Sequence, residues 1–455
     1  MGSILSTPVT AQHLQRKAST HIQAGFAELQ GWRDDHEDAH VIDPAWGGDS
    51  TNRGLFVVFD GHGGTSAADF GSVYLPLKMS AKKSLSDQEV IQYFIDCDEA
   101  YKQSPENKAG AAVCMVITER QPNGKYKVRF ANAGDSRAIL VSSNVELPGT
   151  LANRPIDEDL HKRRDSELSG HAEHLYGGGE GLNFVSDDLD CGVRLATIDH
   201  KPNLPSEKAR IYAAGGFVSN DTPARLQGML ALSRMIGDFN YKQNPSLSHG
   251  DQMGSCIPEM FCTEAEEGDF VVLACDGIFD VLSNNELARQ VRLRYMAQID
   301  AGIAEPDLAK IASDIINLSL NRLDSKDNMS LMVIHLKGSS APPKLEDELL
   351  VGEFPSISEL AETNGGAERR TKKAYEDFFV KVGYFKNPNA CQICRRYFKQ
   401  MSSCPCKKAI YCDQVCQKQD WKTHRKACSA VKHSSKGSSP RTAAAPASAA
   451  VSAQR

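Results

Sequence analysis

The chain has 455 residues, of which 41% are hydrophobic and 24% are charged, and its formal net charge at pH 7 is −6. This is an ordinary composition for a soluble globular protein, and the length predicts two or three units. The weak negative charge gives no whole-chain signature of nucleic-acid binding. We find no bilayer-spanning apolar run and no signal-peptide core, which predicts a cytoplasmic protein and leaves a nuclear location open.

Residues 1–21 are predicted to form an N-terminal tail. The chain begins Met1-Gly2-Ser3-Ile4-Leu5-Ser6, and glycine at position two with serine at position six is the pattern for N-myristoylation. One acyl chain supports only a reversible membrane association, and the nearby basic residues are too few for a second anchor. The alternative is an unmodified tail that merely begins with Met-Gly.

Residues 22–337 alternate short apolar runs with glycine-rich turns, which predicts one domain of strands and helices. Six runs are typical of strands, at residues 55–59, 111–117, 128–131, 138–141, 270–274 and 331–336. Asn123-Gly124 predicts a hairpin between two of them. Helical patterns occupy residues 87–101, 285–297 and 308–323. Locally paired strands and paired helices favour an α+β fold, an antiparallel β-sandwich flanked by helix pairs, over a parallel Rossmann sheet.

Three stretches lack a sustained hydrophobic period. Residues 144–190 are polar and predict an insertion into the domain, which either shapes access to a site or is a tolerated surface loop. We interpret its three histidines, His161, His171 and His174, as exposed loop residues rather than metal ligands. Residues 338–372 are predicted to be a linker. Residues 429–455, basic and rich in Ser and Ala, predict a disordered tail.

Short acidic motifs stand at the ends of the predicted strands. Asp60 follows the run 55–59, Asp276 follows the run 270–274, and Asp327 precedes the run 331–336. An unpaired carboxylate beside a buried strand is costly to desolvate, and hard divalent cations compensate carboxylates that converge. Taken singly, each motif is also explained by a turn or a loop ion pair. Together they favour a magnesium or manganese site.

Over residues 22–337 the chain resembles the protein phosphatase 2C (PPM) family. The resemblance is carried by eight strings: GWRDDHEDAH, FVVFDGHGG, NAGDSRAIL, DHKP, AAGGFV, LALSRMIGDFNYK, LACDGIFDVLSNNE and DNMSLMVIHL. It implies two central antiparallel sheets covered by helix pairs. It also implies hydrolysis of phosphoserine and phosphothreonine in protein substrates, at a binuclear Mg or Mn site where a metal-activated water attacks phosphorus.

The resemblance implies a metal-binding position at each of Glu37, Asp38, Asp60, Gly61, Asp135, Asp276 and Asp327. Asp60 would bridge the two ions, and Asp276 and Asp327 would hold one of them. Glu37 and the Gly61 carbonyl would hold the other. Asp135, together with Asp276, matches a weaker position for a third ion.

Two further residues are implied to be catalytic. Arg33 would bind the substrate phosphate, for which its planar guanidinium is suited. His62 would act as general acid, since an imidazole can protonate a leaving oxygen near neutral pH. The alternative for His62 is a hydrogen bond that only orients Asp60. Asp238 resembles a family aspartate that we interpret as structural, bonded to loop backbone near the site, and His36 as a packed neutral ring.

Residues 391–428 contain eight potential zinc ligands: Cys391, Cys394, Cys404, Cys406, Cys412, Cys416, His424 and Cys428. Two tetrahedral zinc sites need eight thiolate or imidazole donors. So short a segment cannot bury enough apolar surface to fold alone, so zinc binding would supply its folding energy.

The string YCDQVCQKQDWKTHRKAC resembles the MYND finger. The resemblance implies one zinc ion on Cys391, Cys394, Cys412 and Cys416, a second on Cys404, Cys406, His424 and Cys428, and a proline-containing peptide as the partner. Nine Lys or Arg against two Asp in this segment also suit a nucleic acid. Zinc-bound thiolates offset that charge and no base-reading helix motif is present, which favours a peptide.

Two functions from different classes follow for the whole chain. The first is an active protein serine/threonine phosphatase that its finger directs to substrates. The second is a catalytically silent adaptor that keeps the fold and recruits partners through the finger. All five acidic side chains that would hold catalytic ions are present, which favours the enzyme: Glu37, Asp60, Asp135, Asp276 and Asp327.

Overall fold

The computed structural model describes residues 4–48, 52–80, 82, 85–144, 191–343, 346–350 and 366–383, and, towards the C-terminus, residues 402–404, 406, 409–411 and 414–428. The chain divides into two compact units, Met1–Phe378 and Phe379–Arg455. Among these described residues, no helix combines the length and the apolar character needed to cross a bilayer.

The first unit contains two antiparallel sheets. Its strands are β1 (Ile4–Ala18), β2 (Ile22–Arg33), β3 (Ala39–Asp43), β4 (Arg53–His62), β5 (Gly110–Arg120), β6 (Tyr126–Ala133), β7 (Arg137–Val141), β8 (Val193–Ala196), β9 (Ile236–Gly237), β10 (Glu259–Ala265), β11 (Phe270–Ala274), β12 (Met329–Leu336) and β13 (Glu348–Leu350). The larger sheet has the order β13-β1-β2-β12-β11-β7-β8. The smaller has the order β10-β6-β5-β4-β3, with β9 paired to β5.

The helices of the first unit are α1 (Ser66–Met79), α2 (Asp87–Lys102), α3 (Pro205–Ala213), α4 (Asp276–Phe279), α5 (Asn284–Asp300) and α6 (Leu308–Asn321). Helix α7 (Gly366–Lys381) belongs to the first unit up to Phe378. Helix α2 begins with a capping box, in which Ser86 and Glu89 each accept a hydrogen bond from the other's backbone N–H. The second unit contains β14 (Ser402–Ser403), β15 (Ile410–Tyr411) and α8 (Gln414–Ala427).

The first unit has four layers, because both faces of each sheet are buried. On β4, Phe56 and Val58 point into the core between the sheets. Their neighbours Val57 and Phe59 point to the other face, under α1 and α2. The larger sheet is covered in the same way by α5 and α6. A strand buried on both faces is apolar throughout rather than alternating, which is why these strands are recognisable as continuous apolar runs.

The predicted α+β sandwich is confirmed. Each of the six predicted runs lies within a strand, β4, β5, β6, β7, β11 and β12, and the three helical patterns correspond to α2, α5 and α6. Asn123-Gly124 lies in the turn between β5 and β6, which pair antiparallel.

The prediction of a tail over residues 1–21 is wrong for residues 4–18, which form β1 between β13 and β2. This strand was missed because its side chains are largely polar and its pairing with β2 shifts register around Val9. The polar side chains are paired: Gln12 donates to Asn317, and Arg16 binds Asp307. The predicted linker 338–372 likewise contains β13 and the start of α7.

The predicted insertion interrupts the edge of the larger sheet. β7 and β8 flank it and pair at Val141 and Val193, while Asp135 precedes the opposite end of β7. At about 3.3 Å per residue, the insertion leaves the sheet roughly 20 Å from Asp135. This placement favours the surface-loop alternative. Residues 145–190 with their histidines, the tail 429–455 and Gly2 lie outside the described residues.

Candidate active site

The predicted phosphatase residues meet at one edge of the sandwich. The C-terminal ends of β2 and β11 and the N-terminal ends of β7 and β12 lie together there, because these strands are antiparallel neighbours. β4 of the other sheet ends at the same place. The strand ends surround a cavity of about 610 Å³ whose lining includes Arg33, Glu37, Asp60, Gly61, His62, Asp135, Asp276 and Asp327.

Three carboxylates from separate strand ends form the centre of this cavity. Asp60, Asp135 and Asp276 each offer an oxygen, and these three oxygens lie within 4.8 Å of one another. Burial, followed by the charge of Asp276, raises the pKa of Asp60 well above its usual value, and burial and the charge of Asp135 do the same for Asp276. A divalent cation would relieve this repulsion, and an all-oxygen donor set is what Mg and Mn prefer. The residues therefore fit the ions that the family resemblance implies.

Asp327 lines the same cavity but is not one of these three carboxylates. It forms an ion pair with Arg33 and accepts a hydrogen bond of 2.8 Å from the Asn328 backbone N–H. Burial raises the pKa of Asp327, against the opposing effect of Arg33. The structure thus brings Asp327 to the site as the partner of Arg33, and its role as a metal ligand stays a prediction.

Glu37 and Gly61 are placed by close backbone packing. The Glu37 backbone N–H donates to the Asn328 side chain over 2.9 Å, and its carboxylate accepts from the Gly64 N–H over 2.6 Å. A Cβ at position 61 would lie 2.3 Å from the Glu37 carbonyl oxygen, so only glycine allows this approach. The Glu37 carboxylate and the Gly61 backbone therefore share the cavity with Asp60.

The two residues that flank Glu37 are buried away from the cavity lining. Asp38 accepts a hydrogen bond of 2.7 Å from Ser330, and its charge contributes to the raised pKa of Asp60. The ring of His36 is buried and lies 3.0 Å from Glu28, as expected for a packed histidine. A metal-ligand role for Asp38 stays a prediction.

His62 is paired with Asp238 through its Nε2 atom. This differs from our interpretation of Asp238 as a residue that bonds loop backbone, since its carboxylate binds the His62 ring. Burial disfavours the charged form of His62, but the hydrogen bond and the negative charge of Asp238 outweigh this effect and raise the pKa of His62. The pair needs Gly110, because a Cβ there would lie 2.1 Å from an Asp238 oxygen and 2.3 Å from Nε2. A histidine whose pKa is raised in this way is suited to act as a proton donor.

Sequence reasoning missed two charged groups of the site. The Lys201 ammonium lies 2.6 Å from Asp135. Burial disfavours the charged form of Lys201, but the negative charges of Asp135 and Asp276 outweigh this effect and raise its pKa. Asp280 lines the cavity, and burial raises its pKa. Lys201 stands in the DHKP string that carried the resemblance. Asp280 follows Asp276 by four residues, a spacing that a helical turn places on one side.

The second unit contains a separate cluster of soft ligands. Donor atoms of Cys404, Cys406, His424 and Cys428 lie within 4.8 Å of one another. The Cys404 and Cys428 sulfurs are 3.6 Å apart without a disulfide, and His424 Nε2 is 3.3 Å from the sulfurs of Cys404 and Cys406. Two thiolates on a tetrahedral zinc ion, each bonded at about 2.3 Å, would be roughly 3.8 Å apart, so the cluster fits zinc.

The structure therefore brings together one of the two predicted zinc sets. Of the other set, Cys391, Cys394 and Cys412 lie outside the described residues, and only the backbone of Cys416 is described, in α8. Close to the cluster of Cys404, Cys406, His424 and Cys428, Tyr411 donates a hydrogen bond of 2.8 Å to Asp420.

The two antiparallel sheets lie between helix pairs and form an αββα sandwich. At one edge of this sandwich, a group of carboxylates could hold metal ions. Residues 22–164 and 190–329 match the family model described as Protein phosphatase 2C, and residues 391–428 match the MYND finger. The chain belongs to the protein phosphatase 2C family and carries a MYND finger.

Curated relatives agree with this assignment. The chain is 30% identical over 350 residues to Protein phosphatase 2C homolog 2 of Saccharomyces cerevisiae, covering 74% of this chain and 63% of the yeast protein. It is 30% identical over 353 residues to Probable protein phosphatase 1N of Mus musculus, covering 75% and 72%. The chain thus spans less than two thirds of the yeast relative's length. A solved Toxoplasma gondii phosphatase shares the fold, with TM-score 0.55, 20% identity, and coverage of 74% of this chain and 98% of that one.

Proposed function

We propose that the first unit is a magnesium- or manganese-dependent protein serine/threonine phosphatase. The observation that carries the proposal is the meeting of three carboxylates, Asp60, Asp135 and Asp276, in one cavity with Arg33 and His62. A cation site alone would serve a structural ion. A guanidinium suited to binding an anion and an imidazole with a raised pKa line the same cavity, and they supply what phosphate-ester hydrolysis also needs.

The chain's own residues divide the chemistry between them. Asp60, Asp135 and Asp276 would hold the divalent ions, with Glu37 and the Gly61 carbonyl completing the set. When bound, such ions lower the pKa of water and neutralise phosphate charge.

Two side chains act on the substrate, and a third positions one of them. Arg33, whose side chain is 37% exposed, presents its guanidinium to the phosphate. His62 donates its proton to the departing serine or threonine oxygen, and Asp238 holds the ring in place and favours its charged form.

The experiment compares wild type and Asp60→Asn on a phosphothreonine peptide with manganese, and wild type again after EDTA. We expect the substitution to lower kcat/KM by about 10³-fold, because a carboxylate that would hold the charge-stabilising ions is lost, and chelation to abolish turnover. Asp324→Asn is the matched control, since this carboxylate lines the same cavity but is 71% exposed and pairs with Lys326. Equal rates in all samples would establish the silent adaptor instead.

For the second unit we propose binding of a proline-containing peptide to the zinc-stabilised finger. Trp421 on α8 is 40% exposed, and an exposed aromatic ring suits proline recognition. We expect Trp421→Ala to lose peptide binding in calorimetry while native mass spectrometry still shows two zinc ions. Retained affinity would contradict a peptide site at Trp421, and tighter binding to RNA than to the peptide would favour the nucleic-acid alternative.

The N-terminal pattern supports a further proposal, reversible membrane association through myristoyl-Gly2. Ile4, two residues beyond Gly2, lines the catalytic cavity and is 54% exposed. An acyl anchor would therefore hold the cavity close to the bilayer, where phosphorylated membrane-associated proteins are substrates. Co-expression with an N-myristoyltransferase should add one acyl mass and vesicle binding to wild type but not to Gly2→Ala. Vesicle binding by both proteins would contradict the anchor.

A further inference from the structure

Helix α7 adds an element to the first unit beyond the residues that match the family model, which end at residue 329. The residues on one face of this helix are buried, at the spacing of an amphipathic helix: Thr371, Ala374, Tyr375 and Phe378. The Tyr375 hydroxyl accepts a hydrogen bond of 2.9 Å from the Thr10 backbone N–H and lies 3.0 Å from the Thr10 hydroxyl. The helix is therefore anchored to β1.

The same helix contacts the turn that carries two site residues. Arg370 donates to both carboxylate oxygens of Asp34, over 2.6 and 2.7 Å. The Phe378 ring meets the His36 ring edge-on, with centroids 5.4 Å apart. Asp34 directly follows Arg33, and His36 directly precedes Glu37. Helix α7 thus contacts the chain neighbours of the phosphate-binding arginine and of a predicted metal ligand.

From within the domain, the turn is held by two amide side chains. Gln30 donates to the carbonyl oxygens of Arg33 and Asp34, over 3.0 and 2.9 Å. Asn328 accepts from the Glu37 N–H and donates to the Asp35 carbonyl over 3.1 Å. The turn 33–37 is therefore fixed by amides of the sandwich on one side and by α7 on the other.

We propose that α7 is a positioning element of the active site, which sets the direction of Arg33 and Glu37 through Asp34 and His36. This inference rests on the proposed phosphatase function. An ion pair as exposed as Arg370–Asp34 contributes little to stability, so its effect is on the placement of the turn rather than on the fold. The packed Phe378 ring makes the larger contribution.

The experiment measures KM for a phosphothreonine peptide, the activating concentration of manganese and kcat in the full chain. For Arg370→Glu we expect KM and the manganese requirement each to rise about threefold, with kcat within about twofold, because the turn is displaced but its groups remain. For Phe378→Ala we expect KM and the manganese requirement each to rise about tenfold. Lys373→Ala is the matched control, since this α7 side chain is 74% exposed and pairs with Asp377 of the same helix.

A charge reversal separates geometry from net charge. Asp34→Lys alone should behave like Arg370→Glu, and the double variant Asp34→Lys/Arg370→Glu should recover wild-type KM and manganese dependence. If Asp34→Lys alone lowers KM, the pair acts only through its charge, and if the double variant stays impaired, the ion pair does not place the turn. Either result overturns the proposal. Unchanged constants for both Arg370→Glu and Phe378→Ala, in an active wild type, overturn it as well. An inactive wild type would instead remove the proposed function.

Discussion

The acidic cavity of the first unit and the cysteine-histidine cluster of the second both gather cation ligands, but on different supports. Asp60, Asp135 and Asp276 project from strand ends whose sheets are buried on both faces. Cys404, Cys406, His424 and Cys428 belong to a segment with a two-stranded sheet and one helix among its described residues. The first site is formed by a domain with its own packed core. We expect the second site to contribute, through its metal, to the folding of the segment that carries it.

This difference teaches what each metal does to the protein. In the cavity, the carboxylates repel one another, which destabilises the folded state. The packing of the two sheets offsets this repulsion, and a bound cation would relieve it. For the finger, the short segment predicts an apolar core too small to offset chain entropy, so we expect zinc to supply the folding energy. Chelation should therefore silence the first unit and unfold the second.

The largest expected effect tests the finger. Cys404→Ser should abolish one zinc site and unfold residues 402–428, since zinc supplies on the order of 10 kcal/mol of folding free energy to such segments. Native mass spectrometry and circular dichroism of the full chain would show the loss. Hydrolysis of an aryl phosphate should stay within about twofold. Cys262→Ser, an exposed free cysteine in β10, is the control. A finger that keeps its fold without zinc would break the comparison.

A second prediction concerns the pH dependence of the stability of the first unit when no metal is bound. Glu207 is 1% exposed and binds Arg210 and Arg234, which lowers its pKa to about 2 against the cost of burial. Because the folded-state pKa is depressed, its stabilisation is complete above about pH 4.5 and is lost as pH falls towards 2, about 3 kcal/mol in total.

Chemical denaturation of wild type and Glu207→Gln with EDTA, from pH 7 to pH 3, measures this contribution. The difference in unfolding free energy should shrink as pH falls. A constant difference would mean that Glu207 contributes by packing rather than by charge.

A third prediction concerns proton donation. His62→Gln should lower kcat about 100-fold on phosphothreonine but only about threefold on an aryl phosphate, whose leaving group needs no acid. Asp238→Asn should lower the pKa of His62, because the carboxylate that raises it is gone. The alkaline limb of its kcat profile should then move to lower pH. Equal losses on both substrates would assign His62 to orienting Asp60.

The smallest expected effect concerns Lys201, which forms an ion pair with one of the carboxylates that line the cavity. Its ammonium binds Asp135, the residue matched to the weaker third ion. Lys201→Met should tighten manganese binding at that position about fivefold in calorimetry, because a competing charge is removed. Lys326→Met, at the rim of the same cavity, is the control. Unchanged or weaker binding would show that Lys201 does not compete with the ion.

Sequence alone determined six of the sandwich strands, the positions of Asp60 and Asp276 at their ends, and the cluster of Cys404, Cys406, His424 and Cys428. Strands buried on both faces form continuous apolar runs, and metal ligands recur in short motifs, so both signals are local. The half-buried strand β1 has neither signal, because paired polar side chains replace its apolar alternation.

Only the tertiary structure decided which distant residues are partners. Asp238 lies 176 residues from His62, and Lys201 lies 66 residues from Asp135. Arg370 lies 336 residues from Asp34. A charge pair leaves no periodicity in a sequence, because either partner alone is compatible with solvent exposure. Its meaning arises only when packing of the sheets and helices brings the two groups within a hydrogen-bond length.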